Sequence, residues 1–579
     1  MRTTSSDNRD APMRRRRASR RRTASSTAAL GPKILAGLTL FPAGLCVFHL
    51  TAGANSVAAA LWLTLAMALA LSATLLALWH GAAGADAPSP RTHPLITGAF
   101  ATTLMIAGAS LILPGGRSGE ILGDAVSHSL SVDQTATLVE IVKLAGLACA
   151  FLIGCLQGGA VKRALATSQA VVFSGAVFAL IGVFNYLSGE QVRTGNRLAA
   201  GFMSANSAAT LFGMLLVIAV ALLVQQGGSW RSLDRHRLRP NFFLLTASIA
   251  VLGASLLLTA SRMGFVATGV ALAVMAWQWV RSRKAPLPAR SALWIGTAAL
   301  TCLALLAGAD VLWERFGHID DDAVNRGVIF VSHWRAFLAS PAFGYGLGSF
   351  PLINNVVMTP ETYSALWSIR AAHNVYIQWL EEAGVVGAAP MFVCIGTCLW
   401  TAVKSARQRS PERLFLDGLI AADIVVLLHG LTDYSLQVPS IAATWAFLLG
   451  LQVALVRRPA SDRAAARGGA ISRFGRRTMT RLRKIGLQRT MEALAIRAQV
   501  DKDSAARATV CGVQRDRLTV QSMNVCHCAR NPQVEPPVRT RKTSSAQVRR
   551  RREVSTSQSG SLPGAPGLFP QARDPGPDV

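Results

Sequence analysis

Charge is what this chain has least of. Only 15% of its 579 residues are charged, against roughly a quarter in ordinary soluble chains. Hydrophobic residues make up 51%, and the mean hydropathy is +0.35. That deficit argues against an ordinary globular enzyme. Acidic residues are scarcest: 30 Asp and Glu stand against 59 Lys and Arg, a net charge of +29. Basic chains that bind nucleic acid are usually polar, and this one is built from runs of Leu, Ala, Val and Gly. The nine Cys form no CxxC pair; six lie in or close to apolar runs, Cys511 lies in the C-terminal tail, and Cys526 and Cys528 form a lone C-x-C. With no His/Cys cluster either, no metal and no cofactor are expected. Asp320-Asp321-Asp322 reads as a plain acidic run rather than the Asp-x-Asp motif of nucleotide-sugar enzymes, and no carboxylate pair of glycosidase type stands out. The first apolar run is too long for a cleavable signal and lacks a small-residue cleavage site, so it reads as a signal anchor.

The positive charge that is present sits at the ends. Residues 1–33 hold ten Lys or Arg against two Asp, and residues 457–579 hold 25 against nine acids. The 423 residues between carry 24 basic and 19 acidic groups. Three regions follow: a basic N-terminal tail (1–33), an apolar multi-spanning domain (34–456), and a basic tail (457–579). The last is rich in Arg, Ser, Pro and Gln and reads as disordered. A short basic helix near 471–500, lying on anionic lipid, is one reading of its first part.

A helix needs about 20 apolar residues to cross the hydrocarbon core with its backbone groups satisfied internally. Twelve such runs are present, near 34–54, 57–79, 95–114, 135–157, 165–187, 202–224, 241–259, 264–280, 291–308, 384–402, 414–431 and 437–456. The expectation is an all-α polytopic membrane protein of about twelve transmembrane helices. Arg14–Arg17 and Arg20–Arg22 place the N-terminus in the cytoplasm by the positive-inside tendency. Alternation then puts five linkers inside, 80–94, 158–164, 225–240, 281–290 and 403–413, the last four plainly basic, along with the tail that opens with Arg457-Arg458. Both termini are expected to be cytoplasmic.

The other side collects the exceptions. The linker 188–201 holds Arg193 and Arg197, and the L-T-A-S-R-M-G-F turn holds Arg262. The longest loop, 309–383, holds Arg326, Arg335, Arg370 and His373, and the turn H-G-L-T-D-Y-S-L-Q-V-P holds His429 and Asp433. Several arginines near the outer ends of apolar helices suit an anion, because guanidinium keeps its charge and donates parallel hydrogen bonds to phosphate. Within the loop, Trp334–Leu338 reads as an amphipathic helix stopped by Pro341. Gly344, Gly346 and Gly348 then read as a turn seating the loop on the membrane domain. There is no preceding strand to make them a dinucleotide site. His373 and Asn374 open the next helix. A His near a helix N-terminus is disfavoured as a cation, and neutral imidazole is what a general base must be. Asn374 is expected to cap or orient. Asp433 is expected to orient His429 or an Arg, or to cap the last helix; Pro439 breaks or starts that helix. Glu140 and Lys143 could face each other within the fourth run.

The segments N-R-L-A-A-G-F-M-S-A-N-S-A-A-T (196–210), L-T-A-S-R-M-G-F (258–265), W-R-A-F-L-A-S-P-A-F-G-Y-G-L-G-S-F (334–350), A-H-N-V-Y-I-Q-W-L-E-E-A-G-V-V-G (372–387) and H-G-L-T-D-Y-S-L-Q-V-P-S-I-A-A (429–443) resemble the O-antigen ligase and polymerase family of bacterial envelope enzymes. The resemblance spreads over about 190–450. It implies a metal-independent glycosyltransferase of the bacterial inner membrane, working on its periplasmic side in lipopolysaccharide or exopolysaccharide biosynthesis. The donor it implies is a polyprenyl-diphosphate-linked glycan, and the acceptor a glycan or lipid A-core. It also implies a loop His as base, here His373, and arginines on the diphosphate. Those are Arg262 and Arg326, with Arg335 as the alternative to Arg326 and Arg197, patterned with Asn206, as a further candidate. Ligase and repeat-unit polymerase share this donor and are not separated by these features. A twelve-span transporter is the rival of another class. It is disfavoured because the notable residues cluster outside and the two halves show no visible repeat.

Overall fold

The computed structural model describes residues 41–51, 53, 55–81, 92–114, 129–189, 197–227, 240–281, 319–407 and 413–457, with 495, 497 and 499 beyond them. The chain divides into two units, Met1–Arg481 and Leu482–Val579, and all elements below belong to the first. They are helices: α1 (Phe41–Leu50), α2 (Val57–Gly81), α3 (Pro94–Ser110), α4 (Gln134–Gly158), α5 (Val161–Leu187), α6 (Ala205–Gly227), α7 (Pro240–Leu258) and α8 (Arg262–Arg281). Then come α9 (Ile319–Ala339), the short α10 (Phe350–Val357) and α11 (Tyr363–Leu366), and α12 (Val375–Ala406). The series ends with α13 (Arg413–His429), a 3-10 turn (Ser435–Gln437) and α14 (Pro439–Val456). No strand occurs among the described residues.

The all-helical membrane class expected from the sequence holds. Seven described helices (α2, α4, α5, α6, α7, α12 and α14) are long and apolar enough to cross a membrane. The expected count of twelve is not reproduced among the described residues. The runs at 34–54, 95–114, 264–280 and 414–431 coincide with shorter or more polar helices, and 291–308 lies outside the described residues. The surface supports the class independently. Trp62, Phe184, Trp277 and Trp400 are each more than half exposed on the outside of the bundle. Large apolar side chains left so in water forgo roughly 1.5–3 kcal/mol each, whereas lipid solvates them.

Two helices sit at the centre. α6 and α14 are buried almost throughout; α6 packs on α7 and α13, and α14 packs on α4. The α4–α14 contact is close because glycines make it so. A Cβ at Gly154 would stand 2.1 Å from the Phe447 carbonyl oxygen, and one at Gly450 would stand 2.0 Å from that of Phe151. Small residues four apart, here Gly154 and Gly158, are the usual means of bringing helix backbones together in lipid. A buried polar knot ties α13 to α14: Asp423 accepts hydrogen bonds from Trp445 Nε1 (2.9 Å) and Gln452 Nε2 (3.0 Å). Glu140 and Lys143 do face each other on α4, 2.5 Å apart.

The long segment before α12 is docked through an exchange of backbone bonds. α12 breaks at Gly384, whose φ of 62° and ψ of −178° are not helical. In an unbroken helix the Val385 and Val386 amides would donate to the carbonyls of Glu381 and Glu382. Instead they donate to Pro341 (2.8 Å) and Ala342 (3.0 Å), and the vacated carbonyls accept from Tyr345 (3.2 Å) and Gly346 (2.8 Å). Residues 341–346 are thus inserted into the hydrogen-bond ladder of α12, and the break leaves these four groups paired. The expected glycine turn is therefore a seat on the membrane helix. Gly344 and Gly346 have φ of +66° and +97° and would place a Cβ 2.4–2.5 Å from Glu381 O and Ser131 Oγ. As expected, α9 ends ahead of Pro341, and Pro439 starts α14.

Candidate functional site

One end of the bundle gathers the N-termini of α6, α8, α12 and α14 with the C-termini of α7 and α13. Backbone bonds sew these ends together: Leu198 N donates to Leu258 O (2.9 Å) and Val375 N to Gly430 O (2.9 Å). Each helix N-terminus carries a partial positive charge even where its first amides are capped, so four converging ends favour an anion.

The backbone here is strained. Among the described residues three non-glycine residues adopt positive φ, namely Ala200 (51°), Ala260 (46°) and His373 (51°). All three lie at this end. Left-handed backbone in such residues costs on the order of 1–3 kcal/mol and persists where the surroundings impose it, commonly at functional sites.

Arg197 precedes the first strained turn. Its Nε donates to Thr259 O (2.8 Å) and its Nη2 to Asn206 Oδ1 (2.8 Å). The Arg197–Asn206 pattern seen in the sequence is therefore a direct pair, bridging the entry to α6 and the exit of α7. Arg262 is the first residue of α8 and half-buried, directly after Ser261, whose Oγ lies 3.4 Å from His429 Nε2.

His373 stands just ahead of α12, and Asn374 is the cap. Asn374 Oδ1 accepts from the amides of Tyr376 (3.0 Å) and Ile377 (3.1 Å), while its Nδ2 donates to Leu431 O (3.0 Å). The His373 ring meets the edge of Tyr434 at 5.1 Å. Its Nδ1 is buried with no hydrogen-bond partner among the described residues. Burial holds the imidazole below its ordinary value; the Asp433 carboxylate opposes that shift and the Arg326 guanidinium adds to it. His373 is therefore neutral at pH 7. Burial, aided by the Asp433 charge, pushes the Tyr434 phenol up to about 12, so it stays a hydroxyl.

Arg326 and Arg335 separate by geometry. They lie nine positions apart on α9, about half a turn out of phase at 100° per residue. Arg326 is half-buried and its charge reaches His373 and His429, while Arg335 is exposed on the opposite face.

Asp433 is fully buried in the turn between α13 and α14. One of its oxygens accepts from Ser435 Oγ in a very short hydrogen bond, and the other, Oδ1, has no partner among the described residues. Thr210 Oγ1 lies 2.6 Å from Ser435 Oγ and 2.6 Å from His429 Nδ1. Thr210 and Ser435 escaped the sequence reading, since a Thr in an apolar helix and a Ser in a turn carry no local signal. No group of three His, Cys, Asp or Glu that could hold a metal occurs among the described residues.

The fold and site define a multi-helical membrane protein with a buried polar cluster, flanked by arginines, at one end of its bundle. Residues 247–392 match the O-antigen ligase family, so this stretch is a domain of the O-antigen ligase and polymerase type, and the resemblance read from the sequence stands. The match contains Arg262, Arg326, Arg335, His373 and Asn374; Arg197, Asn206 and Asp433 lie outside it. Comparison with curated proteins gives no match. The family match implies transfer of a lipid-linked glycan to an acceptor in general terms.

Proposed function

We propose that this protein is a glycosyltransferase that takes a glycan from a polyprenyl-diphosphate carrier at the periplasmic face of the bacterial inner membrane and passes it to a hydroxyl acceptor, in the manner of an O-antigen ligase. The observation that carries this reading is the convergence at one end of the bundle of a neutral His373 with Asp433, Arg326 and Arg197. Four helix N-termini meet at the same end. The anionic diphosphate lies among those helix ends and the side chains of Arg262, Arg326 and Arg197, and its carrier chain lies between helices. Arg326 is favoured over Arg335 because it shares the face of α9 turned to His373.

The acceptor hydroxyl is a weak nucleophile until its proton is removed. His373 takes that proton as the oxygen attacks the anomeric carbon. A carbon–oxygen bond forms to the acceptor, the bond to the carrier diphosphate breaks, and the leaving diphosphate carries the electron pair into the field of the arginines. A single displacement of this kind inverts the anomeric centre. The imidazolium formed on His373 faces the Asp433 carboxylate.

His373→Ala is expected to lower transfer in membranes or detergent by about 10²–10⁴-fold, the usual share of a general base, with normal insertion. Transfer at the wild-type rate would refute the assignment. In cells, loss of the gene separates the two family activities. A strain with single repeat units on its acceptor has lost a polymerase, and one with none has lost a ligase.

A further inference from the structure

The contacts around Asp433 obey a proton inventory that fixes their direction. A serine or threonine hydroxyl has one hydrogen to give and two lone pairs to accept with, and an ionised carboxylate only accepts. Ser435 donates its hydrogen to Asp433 Oδ2. At its 2.6 Å contact with Thr210 it must then accept, so Thr210 donates to Ser435. That uses the only hydrogen of Thr210, and its 3.2 Å approach to the Asn206 carbonyl is left as the displaced alternative. At the 2.6 Å contact with His429 Nδ1, Thr210 must accept, so His429 carries its hydrogen on Nδ1. Its Nε2 then accepts from Ser261 Oγ at 3.4 Å. Every member of the chain is buried.

We infer that Ser261, His429, Thr210 and Ser435 form a one-way hydrogen-bond chain that ends on Asp433 and makes them positioning residues for its carboxylate. Each link points its donor toward the aspartate, so the links polarise one another in one direction. The chain holds Oδ2 and leaves Oδ1 buried with no hydrogen-bond partner among the described residues. Around this carboxylate stand Arg326 of α9, Arg197 at the entry to α6, and the two histidines, His373 ahead of α12 and His429 at the end of α13. Thr210 is the joint. Among the described residues it is the one that bonds both His429 and Ser435, and it does so from the central helix α6. This rests on the reading of His373 as base, because a fixed, charged Asp433 then serves to stabilise the imidazolium formed during transfer.

The test is Thr210→Val, which keeps shape and removes the hydroxyl, measured by glycan transfer from a polyprenyl-diphosphate-linked donor with full-length protein in detergent. The expected result is a fall in kcat of roughly ten-fold or more with KM for the donor little changed, as for an interaction expressed in the transition state. Thr210→Ser, which restores the hydroxyl, is expected to recover most of that loss. In an Asp433→Asn background Thr210→Val is expected to add little, since the group it positions is already altered. An undiminished kcat in Thr210→Val would overturn the inference. So would failure of Thr210→Ser to recover activity, or an undiminished loss in the Asp433→Asn background. His373→Ala, assayed alongside, distinguishes the two readings: full activity there discards the base, while the Thr210–Asp433 coupling stands or falls by its own cycle.

Discussion

Replacing Gly384 by alanine tests whether the loop-to-helix insertion is a structural joint. The residue sits at φ 62° and ψ −178°, a region that only glycine visits freely and that costs another residue about 1–3 kcal/mol. The added Cβ would lie 2.3 Å from the Ala342 carbonyl oxygen, 2.4 Å from its carbon and 2.5 Å from the Phe343 nitrogen. All three are backbone atoms, pinned by the Val385 and Val386 hydrogen bonds, so the clash cannot be relieved by rotating a side chain. Overpacking of this kind costs about a further 1–3 kcal/mol, for a total near 2–6 kcal/mol. A domain of this type has roughly 5–15 kcal/mol to lose. Thermal unfolding in detergent should show Tm lowered by about 2–7 °C for a domain of this size, and glycan transfer should fall because His373 and Asn374 open the same helix. Gly396→Ala is the control: it lies in the helical second half of α12 with nothing within 4 Å of the new Cβ. There alanine should be neutral or stabilising by up to about 1 kcal/mol. Equal Tm and transfer for Gly384→Ala and the wild type would refute the joint.

The remaining predictions concern pH and the tail. Because His373 titrates below its ordinary 6.5, kcat/KM is expected to fall only as pH drops through a value under 6.5, where the base becomes protonated. Removing the Arg326 charge takes away one cause of that lowering, so Arg326→Gln should move the acid limb to higher pH, and Asp433→Asn should move it lower. A limb that stays put in both variants would mean that another group titrates. Deleting residues 465–579 should leave transfer largely intact, since that tail is expected on the cytoplasmic side; loss of activity in correctly inserted protein would give it a role.

Much of the helix plan was legible because lipid imposes a simple rule on length and polarity. The candidate site was legible where it is built from residues unusual for their place. The arginines at helix ends, His373 beside its capping Asn374, and the Arg197–Asn206 spacing all stand out against an apolar background. The surroundings of Glu381 and Glu382 were harder. The helix that His373 and Asn374 open was legible, but its apolar run begins at 384, past both acids. In the fold both are buried. His333 meets Glu381 at 2.7 Å, and Gln378 and the Gly348 amide donate to Glu382. His333 and Gly348, 48 and 34 residues away on the chain, are invisible to a sliding window. The same holds for Thr210 and Ser435, and for Ala200 and Ala260, whose backbone conformations follow from what is packed around them. Arg326 and Arg335 could be told apart only once both were known to lie on one helix, because a nine-residue offset has meaning only at a fixed rotation per residue.

The centre of the bundle is occupied by its last helix. A chain made from its N-terminus produces α4, with its glycine surface at Gly154 and Gly158, some three hundred residues before the α14 backbone that fills it. It produces Asp423 before either of that carboxylate's donors, Trp445 and Gln452, exists. Until α14 arrives the earlier helices enclose an unfilled groove and an unsatisfied acid, so assembly cannot be completed helix by helix in order of synthesis. The same late segment closes the polar chain, for Ser435 lies in the turn that leads into it. Closure of the helix bundle and closure of the polar chain are therefore one event, and a nascent protein caught before it holds the candidate arginines without the arrangement around them.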